Sequence, residues 1–311
     1  MSMFELSQRC LPFLHALAEL RTPFLDAFFS AFTELGGETM FMVIGLIVFW
    51  CVDKRKGHYL LFVALCGTVF NQTLKIKFGI PRPWVLDPEF QIVEAARAEA
   101  TGFSFPSGHT QNAVGIFGGI ARFCEKTLCK ALFIVIALLV AFSRMYLGVH
   151  TPLDVGVSLI VAAVLVLVLY RPMMRVRSLT KLWLLALIPT LLYLFYADAV
   201  ARASLPLPEY AEAVKNGWCM LGAIGGCAAI AFVDEHFIGF ETKAVWWAQI
   251  LKVLFGLALV VAVKSLLKAP LYALLGQGSG VADAIRYCAM VLAAGALWPV
   301  SFAYFARLGK K

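Results

Sequence analysis

Long, nearly uncharged apolar runs are the feature of this sequence that most restricts its fold. They recur from residue 40 to residue 306, separated by short polar stretches. A helix needs about 20 apolar residues to cross the hydrocarbon core of a bilayer. We therefore predict membrane spans, the shorter of which extend into flanking residues, at Met40–Val52, His58–Leu74, Thr110–Ala121, Ala131–Phe142, Val155–Tyr170, Leu182–Ala197, Asn216–Val233, Ala244–Val263 and Tyr287–Ala306.

Composition supports one polytopic membrane domain over two soluble domains. Hydrophobic residues make up 61% of the 311 residues, and charged residues only 15%, whereas soluble domains carry about 25%. The net charge of +8 comes from short basic clusters between apolar runs, which is typical of cytoplasmic loops, so we expect no nucleic-acid partner. The eight cysteines include no Cys-x-x-Cys pair, which predicts free thiols and no zinc or redox motif.

The N-terminal segment allows two interpretations. It does not resemble a cleaved signal peptide, because His15, Glu19 and Arg21 interrupt it. The amphipathic stretch Phe24–Leu35 is either an interfacial helix or the beginning of a first span that continues past Gly36-Gly37.

The charges of the loops alternate along the chain. Clusters rich in Lys and Arg predict cytoplasmic loops at Asp53–Lys56, Arg122–Lys130, Arg171–Lys181 and the C-terminal Arg307, Lys310 and Lys311. The segments Gly79–Phe105 and Gly148–Pro152 then face outward. The loop Asp234–Lys243 fits this pattern less well, because three acidic residues there oppose only Lys243.

The first of three polar clusters at the outward side is Lys75-x6-Arg82-Pro83. Lys75 is expected at the outer end of its helix, and two prolines stiffen the backbone around Arg82. Two such cations can clamp a phosphate, with arginine offering a bidentate fork. Basic residues that snorkel to the interface would show the same pattern.

The second cluster, Pro106-Ser107-Gly108-His109, precedes an uncharged helix. Ser107 suits the N-cap, and Gly108 leaves room for a ligand to approach the backbone. The free N–H groups of such a first turn attract anions, and His109 is placed to protonate a leaving oxygen. A plain helix cap followed by an interfacial histidine is the alternative.

The third cluster, Ser143-Arg144-x5-His150-x3-Asp154, joins two helices. Thr151 as N-cap, Pro152 at the first helical position and Asp154 at the third favour helix initiation. This spacing brings Asp154 within reach of the His150 ring. A carboxylate on one ring nitrogen would fix the tautomer and leave the other nitrogen free to attack. Helix capping alone is the simpler explanation for Asp154.

Together the three clusters favour a phosphoryl site. Three cations and a helix N-terminus suit a phosphoryl group, and two histidines suit a nucleophile and an acid. We find no further carboxylate cluster that would hold Mg²⁺, so no metal and no cofactor are expected.

In this order the clusters resemble the type 2 phosphatidic acid phosphatase superfamily, the membrane lipid phosphate phosphatases, at every fixed motif position from Lys75 to Asp154. The resemblance implies that His150 is phosphorylated, that Asp154 orients it, and that His109 is the acid and then the base. It also implies metal-independent turnover and phosphate-binding roles for Lys75, Arg82, Ser107, Gly108 and Arg144. Soluble haloperoxidases share the pocket, but the membrane spans argue against that activity.

The expected architecture is an all-α, polytopic transmembrane bundle. A six-helix phosphatase core would occupy residues 1–178, and about three additional membrane helices of unknown role would occupy residues 179–311. We expect an integral protein of a bacterial cytoplasmic membrane whose active site faces the extracytoplasmic side. Membrane lipids would surround it, and the sequence does not indicate an oligomeric state.

Two other functions stay open at this stage. One is a lipid phosphotransferase, in which an alcohol replaces water. The other is a transporter or flippase that binds a phosphate lipid without hydrolysis, although we find no internal repeat of the kind common in transporters. The substrate is also open among phosphatidic acid, phosphatidylglycerol phosphate, polyprenyl diphosphate, sphingoid phosphates and lipid A phosphates. His150-Thr151-Pro152 is slightly similar to sphingosine-phosphate phosphatase members, which is too little to assign one.

Overall fold

The computed structural model describes residues 2–204 and 207–308, and within these ranges the secondary structure is entirely helical. The all-α prediction is therefore confirmed. Lys310 and Lys311, which the sequence assigns to the cytoplasmic side, lie outside the described residues. The α-helices are α1 Met3–Gln8, α2 Leu11–Glu19, α3 Pro23–Thr33, α4 Glu38–Ile47, α5 Lys54–Phe78, α6 Pro83–Leu86, α7 Gly108–Ala113, α8 Gly119–Phe123, α9 Thr127–Tyr146, α10 Pro152–Arg175, α11 Leu179–Ala203, α12 Pro208–Val233, α13 Trp246–Leu266, α14 Lys268–Leu275, α15 Gly280–Leu292 and α16 Phe302–Phe305.

Shorter helical turns complete several of these elements. Glu34–Gly36, Glu94–Ala96 and Trp298–Ser301 are 3₁₀ turns, and Val48–Val52, Val114–Gly118, Asp234–Ile238 and Ala293–Leu297 are π turns. The chain forms two compact units. Of the described residues, the first unit contains 2–42, 66–170 and 207–210, and the second contains 43–65, 171–204 and 211–308.

Among residues 2–204 and 207–308, seven helical stretches are long and apolar enough to cross a membrane: Lys54–Leu86, Thr127–Tyr146, Pro152–Arg175, Leu179–Ala203, Pro208–Ile238, Trp246–Leu275 and Gly280–Phe305. An eighth span is possible if Pro23–Gly36 and Glu38–Val52, which are bent by 54° at their junction, cross together. The stretch Phe24–Leu35 is helical, and the helix breaks at Gly37; this bend fits either of the two interpretations of the segment. The predicted span Thr110–Ala121 is helical but ends at Phe123, and this helix is too short to join the seven.

The surface of α9 shows why these helices need a bilayer. Only 28% of its most apolar window is buried within the protein. Leu128, Leu132 and Leu138 on this helix are each half exposed or more. Burial of apolar area away from water is the main driving force of folding, so side chains exposed in this number belong in lipid. The protein is an integral membrane protein.

A hydrophobic cluster in the first unit seats the loop that follows α6 and the turn before α10. Leu14 of α2 is fully buried there with Phe90, Leu147 and Val149. The Val93 amide donates to the Leu147 carbonyl at 3.1 Å. The N-terminal helices therefore fix the two segments that carry much of the polar cluster described below.

Gly36 permits a close approach in the same unit. A Cβ at this position would lie 2.8 Å from the His109 carbonyl oxygen and 2.6 Å from Cγ1 of Val140. Only a glycine allows the 3₁₀ turn Glu34–Gly36 to lie this close to the beginning of α7. The side chain of Asn112 closes the contact with a 3.3 Å hydrogen bond to the Gly36 carbonyl.

In the second unit, acidic and basic loops meet at one end. Lys54 forms a 2.6 Å ion pair with Asp234. Glu235 accepts hydrogen bonds from the hydroxyls of Ser178 and Thr180 and from the Leu179 amide at the beginning of α11. The loop Asp234–Lys243 fitted the alternation of loop charges poorly. It lies beside two basic loops, where one of its acids pairs with Lys54 and another caps α11.

Lys252 interrupts a predicted span without breaking its helix. Its side chain is buried within α13, and its ammonium group donates to the carbonyls of Trp50 at 2.8 Å and Thr242 at 3.0 Å. The ring of Phe302 lies 4.0 Å from the ammonium nitrogen. These contacts replace the lost water and allow a cation inside an apolar helix.

Candidate functional site

All eight site residues predicted from the sequence lie in the first unit, at one end of its helices. Lys75 lies in the last turn of α5, Arg82 just before α6, and Arg144 in the last turn of α9. The remaining five lie at or next to the beginnings of α7 and α10 and are Ser107, Gly108, His109, His150 and Asp154.

The beginning of α7 has the predicted cap. Ser107 is the N-cap, and its fully buried hydroxyl accepts from the Thr110 hydroxyl at 3.0 Å. Its amide donates to the Asp154 carbonyl at 3.2 Å, which ties α7 to α10. A Cβ on Gly108 would meet nothing within 4 Å. The first turn of α7 therefore has open space in front of it, which a ligand can enter.

The beginning of α10 also has the predicted initiation pattern. The helix begins at Pro152. The Thr151 hydroxyl accepts from the Asp154 amide at 3.3 Å, and the Asp154 carboxylate accepts from the Thr151 amide at 2.8 Å. This reciprocal capping box holds Asp154 in place. Ser104, which the sequence did not single out, donates to the same carboxylate oxygen at 2.6 Å.

His150 lies between a cation and a carboxylate. Its Nε2 is 3.0 Å from Nη1 of Arg82, and its Nδ1 is 3.4 Å from Oδ2 of Asp154. A guanidinium group can only donate hydrogen bonds, so Nε2 must be the acceptor and the ring proton resides on Nδ1. The distance of 3.4 Å between Nδ1 and Oδ2 of Asp154 is longer than an ordinary hydrogen bond. Contacts of this kind often shorten when substrate binds.

The loop before α7 fixes two of the cations. Lys75 donates to the Phe103 carbonyl. Arg82 donates to the Gly102 carbonyl and to the Val149 carbonyl, both at 3.0 Å, and to the carbonyl of Thr101. Backbone carbonyls thus hold both cations in position near His150, where their positive charge can attract an anion.

Arg144 has buried donors with no partner. The residue is 1% exposed, and its Nη1 donates to the Thr33 hydroxyl at 2.8 Å. Its Nε and Nη2 are buried and make no hydrogen bond to any residue that the structure describes. An unmet buried donor on a charged group is strongly unfavourable. An anionic ligand would satisfy both donors, because adjacent N–H groups of arginine match two oxygens of one phosphate.

His109 has a carboxylate partner that the sequence analysis did not assign. Its Nε2 lies 3.0 Å from Oε2 of Glu99 in the loop before α7. Glu34 lies within hydrogen-bond reach of Glu99, and Arg144 is the cation near both acids. No local pattern indicates these contacts. They arise because Gly36 brings the 3₁₀ turn of Glu34 against α7.

The positive surroundings of the two histidines keep both rings neutral. Burial, together with Arg82, Arg144 and Lys75, holds the pKa of His150 well below its ordinary value. Burial and the charge of Arg144 lower the pKa of His109 to about 4, and Glu99 opposes that shift. A neutral His150 retains the lone pair that a nucleophile needs. Arg82 and Arg144 act on both rings, so the two imidazoles share a positive electrostatic environment.

This arrangement can bind a tetrahedral anion beside a nucleophilic nitrogen. Three buried cations, the first turn of α7 and two neutral imidazoles supply charge stabilisation and positioning, which are the main requirements of phosphoryl transfer.

Comparison with known proteins gives two family matches in this chain. Residues 55–178 match the family model described as "PAP2 superfamily". Residues 218–311 match the one described as "PAP2 superfamily phosphatase, transmembrane extension". The first match contains all eight predicted site residues.

Three curated relatives carry the names of phosphatases that act on lipids. The "Probable sphingosine-1-phosphate phosphatase" of Dictyostelium discoideum is 33% identical over 50% of this chain and 40% of its own length. The "Phosphatidylglycerophosphatase B" of Bacillus subtilis is 32% identical over 44% of this chain and 69% of its own length. The "Undecaprenyl-diphosphatase BcrC" of the same bacterium is 29% identical over 40% of this chain and 64% of its own length. The chain thus spans 40% to 69% of these relatives.

Proposed function

We propose a function for this chain, which belongs to the PAP2 superfamily. It is an integral membrane enzyme that hydrolyses the phosphate of a lipid through a phosphohistidine intermediate. The observation that carries the proposal is Arg144, whose two unpartnered, buried donors lie among the cations that surround a neutral His150. Such a site stabilises a bound phosphoryl dianion and presents a nucleophile to its phosphorus atom.

In the first step, Nε2 of His150 attacks phosphorus and forms the P–N bond. The bond between phosphorus and the ester oxygen breaks as His109, charged to the imidazolium once the negative phosphate is bound, gives its proton to that oxygen and the lipid alcohol leaves. His109 is then neutral for the second step. Nδ1 of His150 keeps its proton, and Asp154 stabilises the charge that develops on the ring. Arg82 exchanges its contact with Nε2 for a phosphoryl oxygen.

In the second step, the neutral His109 removes a proton from water, and the water oxygen attacks phosphorus. The P–N bond breaks, inorganic phosphate forms, and the electron pair returns to Nε2 of His150. In both steps Lys75, Arg82, Arg144 and the first turn of α7, with Ser107 and Gly108, bind the phosphoryl oxygens. The protein groups supply the positive charge that a metal ion supplies elsewhere, so we propose that turnover is independent of metal.

The proposed orientation rests on the loop charges. The site lies at the end of the first unit that carries Gly79–Phe105 and Gly148–Pro152, and the basic loop Arg122–Lys130 lies at the other ends of α8 and α9. By the positive-inside rule the site faces the extracytoplasmic side, in a bacterial cytoplasmic membrane. We assign residues 1–178 to the phosphatase core and residues 179–311 to an extension of unassigned role.

The direct test is phosphate release by the detergent-solubilised full chain. It is assayed with a sphingoid base phosphate, phosphatidylglycerol phosphate, phosphatidic acid and undecaprenyl diphosphate, the panel suggested by the names of the relatives. We expect release from at least one of them, and EDTA should leave the rate unchanged. His150→Ala should lower release by roughly a thousand-fold or more.

The matched control is His236→Ala, because His236 is exposed and its ring bonds only to the Phe232 carbonyl within the described chain. This variant should retain the wild-type rate. Full activity of His150→Ala would rule out the mechanism. Translocation of a phosphate lipid without phosphate release, or transfer of the phosphoryl group to an added alcohol alone, would replace hydrolysis with another function.

A further inference from the structure

The loop before α7 places a carboxylate on the second histidine of the site. Oε2 of Glu99 lies 3.0 Å from Nε2 of His109, and the His109 side chain is only 15% exposed. Nothing in the motif pattern requires an acid at this position, which lies ten residues before His109. The contact resembles the one between Asp154 and His150, so each imidazole of the site has a carboxylate partner.

The tautomer of His109 follows from this contact. Hydrogen bonding to His109 lowers the pKa of Glu99, so Glu99 is ionised near neutral pH and can only accept. Nε2 of His109 is therefore the donor in the contact. The other ring nitrogen, Nδ1, is left to exchange a proton with the substrate.

The charges around His109 make such a partner necessary. Arg144 and Arg82 face the ring as cations, His150 lies beside it, and Glu99 is the acid in contact with it. Glu34 is a hydrogen-bond partner of Glu99. Without an acid in contact, burial and two cations oppose the imidazolium that must form before the lipid alcohol can be protonated.

We propose that Glu99 is a positioning residue that holds Nε2–H of His109 and stabilises its imidazolium, so that His109 can act as general acid on the leaving alcohol. This proposal rests on the proposed phosphatase function. The proton moves from Nδ1 of His109 to the ester oxygen as the bond between oxygen and phosphorus breaks. Glu99 itself keeps its charge throughout.

The test compares two leaving groups on the full chain in detergent. A lipid phosphate releases an aliphatic alcohol, which needs the acid, whereas p-nitrophenyl phosphate releases a stable phenolate, which does not. Glu99→Gln should lower kcat on the lipid phosphate by about 100-fold, a typical contribution of general acid catalysis. The same variant should change the rate of the initial nitrophenolate burst by less than about threefold, because that step does not need a general acid.

The dependence of kcat on pH distinguishes this role of Glu99 from a merely structural one, which would not shift it. The acid must be protonated, so activity is lost as pH rises through the pKa of His109. Since Glu99 raises that pKa, Glu99→Gln should shift the alkaline limb of kcat for the lipid phosphate to lower pH.

The matched control is Glu94→Gln, which removes the same charge from the same loop at an exposed residue paired with Arg97. It should leave rates and profile unchanged. An equal loss on both substrates without a shifted limb, or wild-type kinetics of Glu99→Gln, would overturn the assignment. The variant His150→Ala separates the two proposals, because its full activity would refute the phosphatase mechanism whatever Glu99 does.

Discussion

The residues of the site divide into those whose place follows from short-range chemistry and those whose place follows from the fold. Ser107 caps α7, and Thr151 with Asp154 caps α10, as neighbouring residues alone predict. Arg144 is different. Its Thr33 contact joins residues 111 positions apart, and its two unpartnered donors depend on what surrounds it.

Arg144→Lys tests the value of that guanidinium. Lysine keeps the charge but offers a compact ammonium in place of two parallel donors. We expect kcat/KM for the lipid phosphate to fall by about 100-fold, the usual effect of losing one such donor, and inhibition by vanadate to weaken. Steady-state kinetics with Arg97→Lys as control checks this, since Arg97 is half exposed and pairs with Glu94. Equal kinetics of the two variants would remove Arg144 from the phosphate site.

At the scale of elements, the 3₁₀ turn Glu34–Gly36 and the loop 79–105 complete the site around the helices. The sequence predicts that the loop faces outward but does not predict its contacts. Backbone carbonyls of the loop, those of Thr101, Gly102 and Phe103, accept hydrogen bonds from Lys75 and Arg82. Contacts of backbone groups cannot be predicted from a pattern of side chains. Likewise, Glu34 lies near Glu99 because the turn Glu34–Gly36 approaches α7 closely at Gly36. A glycine permits such an approach, but its presence in the sequence does not predict one.

Gly36→Ala tests whether this approach is needed. The added methyl group would lie 2.8 Å from the His109 carbonyl oxygen, and overpacking of this kind destabilises proteins by about 1–3 kcal/mol. We expect a lower midpoint of thermal unfolding in detergent and reduced activity. Gly156→Ala is the control, because a Cβ there meets nothing within 4 Å and alanine favours a helix by roughly 0.5–1 kcal/mol. Equal midpoints for both variants would contradict the packing described.

At the scale of the whole molecule, apolar runs predicted the helical class and most of the spans, because the bilayer leaves few other solutions for such a chain. They did not predict how charged residues are accommodated. Lys252 lies within a span because two carbonyls receive its ammonium, and Asp234 is neutralised by Lys54. Both contacts join residues that are distant in sequence. From the sequence alone, these charged residues only interrupt the pattern of apolar spans and alternating loop charges.

At this scale, the site that we propose for phosphoryl transfer is formed by residues of the first unit around His150. The most direct test is to mix the full chain with excess lipid phosphate, quench within milliseconds at alkaline pH, and locate the phosphoryl group by mass spectrometry of the peptides. We predict a transient phosphoryl group on His150, absent from His150→Ala and formed normally in His236→Ala. A phosphoryl group on any other residue, or phosphate release with no labelled intermediate at any time, would contradict this mechanism.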